Sequence, residues 1–303
     1  MPLQITTEYQ SNNYRDREEN EPIQFLVFHY TAVPLRTTLG ISTNNVALAE
    51  EDREYFVDSK YDLDLLCNNE VSSHYVIAED GKIFNLVNEQ HVAYHLGESC
   101  WNGSPNINSQ SIGIEQVHHG YQWLPKWVIP EDRAVKIKGS NKTWCTFNDE
   151  QITQTIELCK SIIAKYNIKP FNIIGHSDIA CGRKLDPGPL FPWKRLAEEG
   201  IGIWYDLSES NIQMPENPED ALKLAKEKLN YFGYDCWFLD ITDEISLQNV
   251  IKAFQMHFRP SNIDGIIDLE CLQILDSLCQ RKLRYEDELK KAETPKLTLK
   301  PKF

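Results

Sequence analysis

Residues 24–31, QFLVFHYT, form an unbroken run of apolar and β-favouring side chains, the pattern of a buried strand. A buried strand constrains the whole chain, because other elements must cover it to make a hydrophobic core. The run also carries a histidine, His29, to its end, and strand ends are where a rigid scaffold presents chemistry. A shorter run repeats the arrangement: residues 171–175, FNIIG, read as a strand leading straight into His176 and a loop rich in glycine and proline.

Between these runs, HYVIA at 74–78 and KIFNLV at 82–87 are joined by Glu79, Asp80 and Gly81, a hairpin signal because Asp-Gly supplies the positive φ of a tight turn. SIGIEQV at 111–117 is a further strand. Asn148, Asp149 and Glu150 supply an N-cap and an acidic first turn, after which Ile152, Ile156, Cys159, Ile163 and Tyr166 recur at helical spacing. Strands and helices mingle, so the class is α/β or α+β. Residues 34–69 are polar and acidic, hold one candidate helix at 45–56, and are expected to form a lid or rim.

The texture changes after Trp204. MPENP at 214–218 reads as a linker, and beyond it the pattern is helical. Asn217 caps a first helix, Pro218 takes its first position, and Leu222, Ala225, Leu229 and Phe232 form its apolar face before Gly233 stops it. A second helix is expected at 244–258 with Leu247, Val250, Ile251, Phe254 and Phe258 inward, and a third at 269–283, which makes a small bundle. The last twenty residues read as a loose tail. A length of 303 residues suits two domains at roughly 150 residues each.

Charge narrows the function. Lys and Arg number 31 against 45 Asp and Glu, and the net charge of -14 repels polyanions, which argues against a nucleic-acid partner. The eight cysteines are scattered without a C-x-x-C, so neither a zinc ribbon nor a disulfide scaffold is indicated. No apolar run approaches the ~20 residues that cross a bilayer, and the N-terminus lacks a secretory pattern.

The stretch GHSDIACGRKLDPGPLFPW, residues 175–193, returns Asp186 ten residues after His176. With His29 these give two imidazoles and a carboxylate, the donor set of an open catalytic zinc site that keeps a position for water. Spacing alone equally allows His29 to be a satisfied strand histidine and Asp186 a cap on the Asp-Pro-Gly-Pro turn.

FLVFHYTA, VSSHYVIAEDGKIFNLV, AYHLGESCWNG, NSQSIGIEQ and GHSDIACGRKLDPGPLFPW resemble, in order, the motif blocks of the type 2 N-acetylmuramoyl-L-alanine amidases, zinc enzymes related to peptidoglycan recognition proteins. The match spans about residues 22–204, and VIKAFQMHFRPSNIDG at 250–265 is similar to the helical peptidoglycan-binding domain of AmiD-type members. The resemblance implies an α/β fold with a mixed central β-sheet flanked by helices, followed by a three-helix bundle. It divides the chain into an extension at 1–21, a catalytic domain at 22–210, a peptidoglycan-binding-like domain at 211–285 and a tail at 286–303. It also implies one Zn2+ per chain on His29, His176 and Asp186, Glu115 as general base, and Lys184 beside the reacting carbonyl. His95, Trp101 and Asn108 match positions that line the substrate cleft, although Trp101 serves equally as a core residue, and His74 reads as structural.

The activity so implied is hydrolysis of the amide between N-acetylmuramic acid and L-alanine in peptidoglycan or muropeptides, by a monomer in the cell envelope. Two rivals remain open: a cytosolic recycling amidase, favoured by the missing signal, and a non-catalytic module that binds muropeptides. Cys181 stands where the motif commonly has proline, five residues from His176, and is expected to pack beside the loop. Removal of residues 215–303 is expected to spare cleavage of small muropeptides while weakening binding to intact sacculi.

Overall fold

The computed structural model describes residues 3–32, 59–68, 70–105, 107–121, 129–234 and 244–293. Its strands are β1 (Ile5–Thr6), β2 (Tyr14–Asp16), β3 (Phe25–Tyr30), β4 (Tyr75–Ile77), β5 (Ile83–Asn85), β6 (His91–Ala93), β7 (Ser111–Gln116), β8 (Ala134–Lys136), β9 (Thr143–Cys145) and β10 (Ile173–Gly175). Its helices are α1 (Ser59–Asn68), α2 (Asp149–Tyr166), α3 (His176–Ile179), α4 (Trp193–Glu198), α5 (Pro218–Leu229), α6 (Glu244–Phe258) and α7 (Leu269–Glu293).

Six strands make the central sheet in the order β1-β5-β4-β7-β3-β10. β10, β3, β7 and β4 run parallel, and the β4–β5 hairpin turns at Gly81, whose φ is 82°, so the sheet is mixed. Side chains alternate across it. Leu26 and Phe28 of β3 with Ile112 and Ile114 of β7 meet Ile152, Ile156, Cys159 and Ile162 of α2 in one core cluster. Phe25 and Val27 point the other way, into a cluster shared with Leu96, Trp101, Phe232, Phe254, Phe258 and Leu275. The C-terminal helices therefore share a core with the sheet. Burial of each such large side chain contributes about 1.5–3 kcal/mol.

The first residues are part of the fold. β1 adds parallel to β5, β2 pairs antiparallel with β6, and the buried side of Arg17 donates to the carbonyls of Glu89, His91, Ser109 and Ser111. Asn217 caps α5 by accepting from the Glu219 N–H at 3.0 Å. Asn148 holds the N-cap position of α2, but its amide donates to the Glu79 carbonyl instead of capping. The third C-terminal helix runs ten residues past its expected end at 283, because Tyr285 packs on Phe171 and the Tyr231 hydroxyl donates to Glu286. The expected tail is thus helical to Glu293. The candidate helix at 45–56 lies outside the described residues; α1 follows it.

None of the seven described cysteines is in a disulfide, and Cys181 donates from its thiol to the Asp178 carbonyl, packed beside the loop as expected. No described helix is long and apolar enough to cross a membrane.

Buried histidines, His74 and His118 among them, make the fold acid-sensitive. Burial pushes His74 down to about 4 and His118 to about 3. Because the unfolded chain binds those protons near the ordinary value of about 6.5 and the folded chain resists them, stability falls as pH drops below about 6.5. The unfolding free energy of the metal-free protein from urea titration should hold steady above pH 7 and decline between pH 6.5 and 5, by up to about 1.4 kcal/mol per pH unit for each imidazole, with the midpoint falling in step. A midpoint unchanged down to pH 5 would contradict this reading.

Candidate active site

The site grows from the ends of β10, β3 and β7. Parallel register sets His29 beside Glu115, Val27 beside Gly113 and Phe25 beside Ser111, so all six face the same side of the sheet. β10 neighbours β3, and the chain turns from Gly175 directly into α3, which places His176 next to His29. The loop then returns Asp186, whose carbonyl accepts from the Ser177 N–H at 2.8 Å.

Three atoms converge there. His29 Nδ1 lies 3.0 Å from His176 Nδ1 and 2.9 Å from Asp186 Oδ2, which in turn lies 3.0 Å from His176 Nδ1. All three residues are buried, His29 to 1% exposure. The opposite ring nitrogens decide the tautomers. His176 Nε2 faces the Leu96 carbonyl at 3.0 Å, so it carries the proton and donates. Ser111 donates to the Asn108 carbonyl and accepts from His95 Nε2–H, which leaves His95 Nδ1 to accept from His29 Nε2–H at 2.9 Å. Both inward Nδ1 atoms are then bare.

Two bare imidazole nitrogens and a carboxylate oxygen in mutual contact repel one another unless a cation lies among them. Burial holds His29 neutral, pushed down to about 4, and burial with the neighbouring imidazoles keeps His95 well below its ordinary value. Burial alone would raise Asp186; only a proton on the facing Nδ1 of His176 or His29, by its charge and hydrogen bond, outweighs burial and holds the carboxyl below the usual range. The edges of this triangle approach the roughly 3.3 Å between donors around a tetrahedral zinc with Zn–N near 2.0–2.1 Å. The donor set therefore fits a Zn2+ ion.

A cavity of about 350 Å³ opens on this triangle and is lined by His29, Tyr30, His95, Glu115, Lys184 and Asp186, among others. Both residues expected to do chemistry, Glu115 and Lys184, thus face the same space as the three donors. His95 also lines it, but its ring is committed to His29 and Ser111. Asn108 is half-buried outside the lining and supports His95 from behind, its Oδ1 accepting from the His95 backbone N–H at 3.2 Å. Trp101 does not reach the cleft. At 1% exposure it sits under Phe232 and Tyr234, and its indole donates to the Phe171 carbonyl at 3.0 Å, so the core alternative holds. His74 is structural as expected: its Nδ1 accepts from the Gly113 N–H, with Nε2 toward the His91 carbonyl.

Ser111 and Gly113 escaped the sequence reading, although their period-two spacing with Glu115 was the available signal. Gly113 leaves room for the His95 ring; a Cβ there would lie 2.6 Å from His95 Nδ1.

The N-acetylmuramoyl-L-alanine amidase family model matches residues 19–189. The N-acetylmuramoyl-L-alanine amidase AmiD of Escherichia coli is 36% identical over 285 residues, 90% of this chain and 88% of that protein. The 1,6-anhydro-N-acetylmuramyl-L-alanine amidase AmpD of Haemophilus influenzae is 29% identical over 190 residues, 61% of this chain and 87% of its own. The solved complex of E. coli AmiD with the substrate anhydro-N-acetylmuramic acid-L-Ala-D-gamma-Glu-L-Lys superimposes with a TM-score of 0.66 at 34% identity, covering 88% of this chain and 93% of that one.

Gly113→Ala should force the His95 ring off His29 and cost about 1–3 kcal/mol of stability, typical of overpacking. Urea unfolding beside the parent protein checks it; equal midpoints would mean that the ring has room the geometry does not show.

Proposed function

Since the chain belongs to the N-acetylmuramoyl-L-alanine amidase family, which hydrolyses the amide between N-acetylmuramic acid and L-alanine, we propose that its catalysis rests on one Zn2+ held by His29, His176 and Asp186. The observation that carries this reading is the contact of two bare imidazole nitrogens with a buried carboxylate beside Glu115. When bound, zinc supplies a Lewis acid for the amide carbonyl and lowers the pKa of water to about 7.

The protein's own groups then divide the work. Glu115 takes a proton from the attacking water as its oxygen bonds to the carbonyl carbon, and returns that proton to the alanine nitrogen as the C–N bond breaks. Lys184 faces the same cavity and stabilises the negative charge that develops on the carbonyl oxygen. His95 and Ser111 hold His29 in the tautomer that presents Nδ1.

The substrate is a muropeptide. The AmiD complex contains an anhydro-N-acetylmuramic acid peptide, and the Haemophilus relative is named for 1,6-anhydro substrates, which supports cleavage of anhydromuropeptides here. We assign residues 22–210 to catalysis and 211–285 to a helical unit that holds wall polymer, which favours the cell envelope over cytosolic recycling; the family model ends at residue 189 while the similarity to AmiD covers 90% of the chain, so the likeness reaches beyond the matched catalytic part. Activity on intact sacculi as well as soluble anhydromuropeptides is expected, and activity on soluble fragments alone would favour the recycling enzyme.

Two measurements test the chemistry. Mass spectrometry of digested muropeptides should show free stem peptide, lost on chelation and restored by Zn2+. Glu115→Gln should lower kcat about 10²–10⁴-fold with bound zinc unchanged. Full activity without metal, or in Glu115→Gln, would refute this assignment.

A further inference from the structure

The carboxylate of Asp178 lies two residues beyond His176 and is fully buried. Its Oδ2 accepts from the Gly175 N–H at 2.8 Å, so the side chain ties together the residues flanking His176. The remaining partners come from the C-terminal helices. Oδ1 accepts from the Tyr234 hydroxyl at 2.7 Å, and Oδ2 accepts from His257 Nδ1 at 2.7 Å.

Both partners are themselves fixed. The His257 ring is stacked between Trp193, 3.8 Å away and 15° from parallel, and Phe258, 3.9 Å away and 8° from parallel. Lys282 of α7 donates to the carbonyls of Tyr231 and Phe232, pinning the turn that carries Tyr234. Further along the loop to Asp186, Ile179 lies in the core shared with the C-terminal helices, and a Cβ on Gly182 would meet the Asn249 side chain of α6 at 2.5 Å. One side of the loop thus faces the cavity and the other is gripped by the helices.

From this we infer that Tyr234 and His257 are positioning residues for His176, acting through Asp178, so that the C-terminal helices set the geometry of the metal site. The inference rests on the zinc reading above. Metal donors must be held to within about 0.5 Å of their productive places, and partners one shell out from a metal commonly change its affinity 10–100-fold. Polymer binding alone gives no reason for a hydroxyl and an imidazole from the helical unit to meet a carboxylate beside His176. The helical unit therefore belongs to the catalytic apparatus as well as to any polymer-holding surface, and its removal disables cleavage of small muropeptides too.

The test uses the full chain. Tyr234→Phe and His257→Leu remove one hydrogen bond each, while His257→Asn keeps a donor near the position of Nδ1. Affinity for Zn2+ is read by chelator competition, and site geometry by the visible spectrum of the Co2+-loaded protein. Tyr234→Phe and His257→Leu should each weaken Zn2+ binding by up to about 10-fold, the lower end of what a group bonded directly to a metal ligand gives, and shift the Co2+ bands, and His257→Asn should recover most of the loss. Folded variants with parental affinity and spectrum would overturn the inference, whatever their melting temperatures, and leave the zinc reading intact. A parent protein that binds neither ion would instead defeat the zinc reading. Reciprocity supplies a measurement that needs no variant: Zn2+ should increase hydrogen-exchange protection of residues 230–234 in the parent protein, and unchanged protection would overturn the coupling.

Discussion

Three lone pairs in contact with no proton between them are the interaction on which this structure depends. The inward nitrogens of His29 and His176 are bare because their outward nitrogens are spent on fixed acceptors, His95 and the Leu96 carbonyl. That commitment requires the Asn108–Ser111–His95 chain, and the chain requires Gly113, the position at which a side chain would occupy the space of the His95 ring. A triangle of this kind is costly without a cation and favourable with one, so the fold carries in its core an unfavourable contact that binding relieves.

The sheet makes such a contact affordable. β3 and β7 pair over six residues, and their far faces pack on α2, so sheet hydrogen bonds and a buried core hold the strand ends that present His29 and Glu115. Parallel pairing also explains why residues 86 apart in sequence share one face without an intervening turn to set their spacing. His176 gains the same rigidity from β10, but Asp186 hangs on a loop, and it is on that loop that the C-terminal helices press.

What the sequence displayed follows the range of the interactions. Period and local chemistry marked β3, β7, the β4–β5 hairpin, α5 and α6, because each depends on residues a few positions apart. The His29, His176 and Asp186 set was visible as residue types at strand ends, and the resemblance implied its metal-binding role. Trp101 shows the limit: an indole beside Asn-Gly suits a sugar-stacking cleft or a core equally well, and only the packing of Phe232 and Tyr234 from 130 residues away decides between them. His257 likewise reads locally as a favourable charge at a helix end, whereas its partner, Asp178, is 79 residues distant. Pairings of that range leave no periodic trace.

The shared core also changes what two domains mean in this chain. Separable modules joined by a linker gain from proximity alone, and each keeps its function when the other is removed. Here Phe25 and Val27 of the sheet belong to one cluster with Phe254, Phe258 and Leu275, and a buried hydrogen-bond cluster crosses the same boundary to the residue next to His176. On the proposed reading, polymer held on the helical surface and substrate held at the metal would be linked through these packed side chains. Any ligand that tightens the helices against the loop favours the compact donor triangle, and a metal in that triangle favours the docked helices by the same free energy.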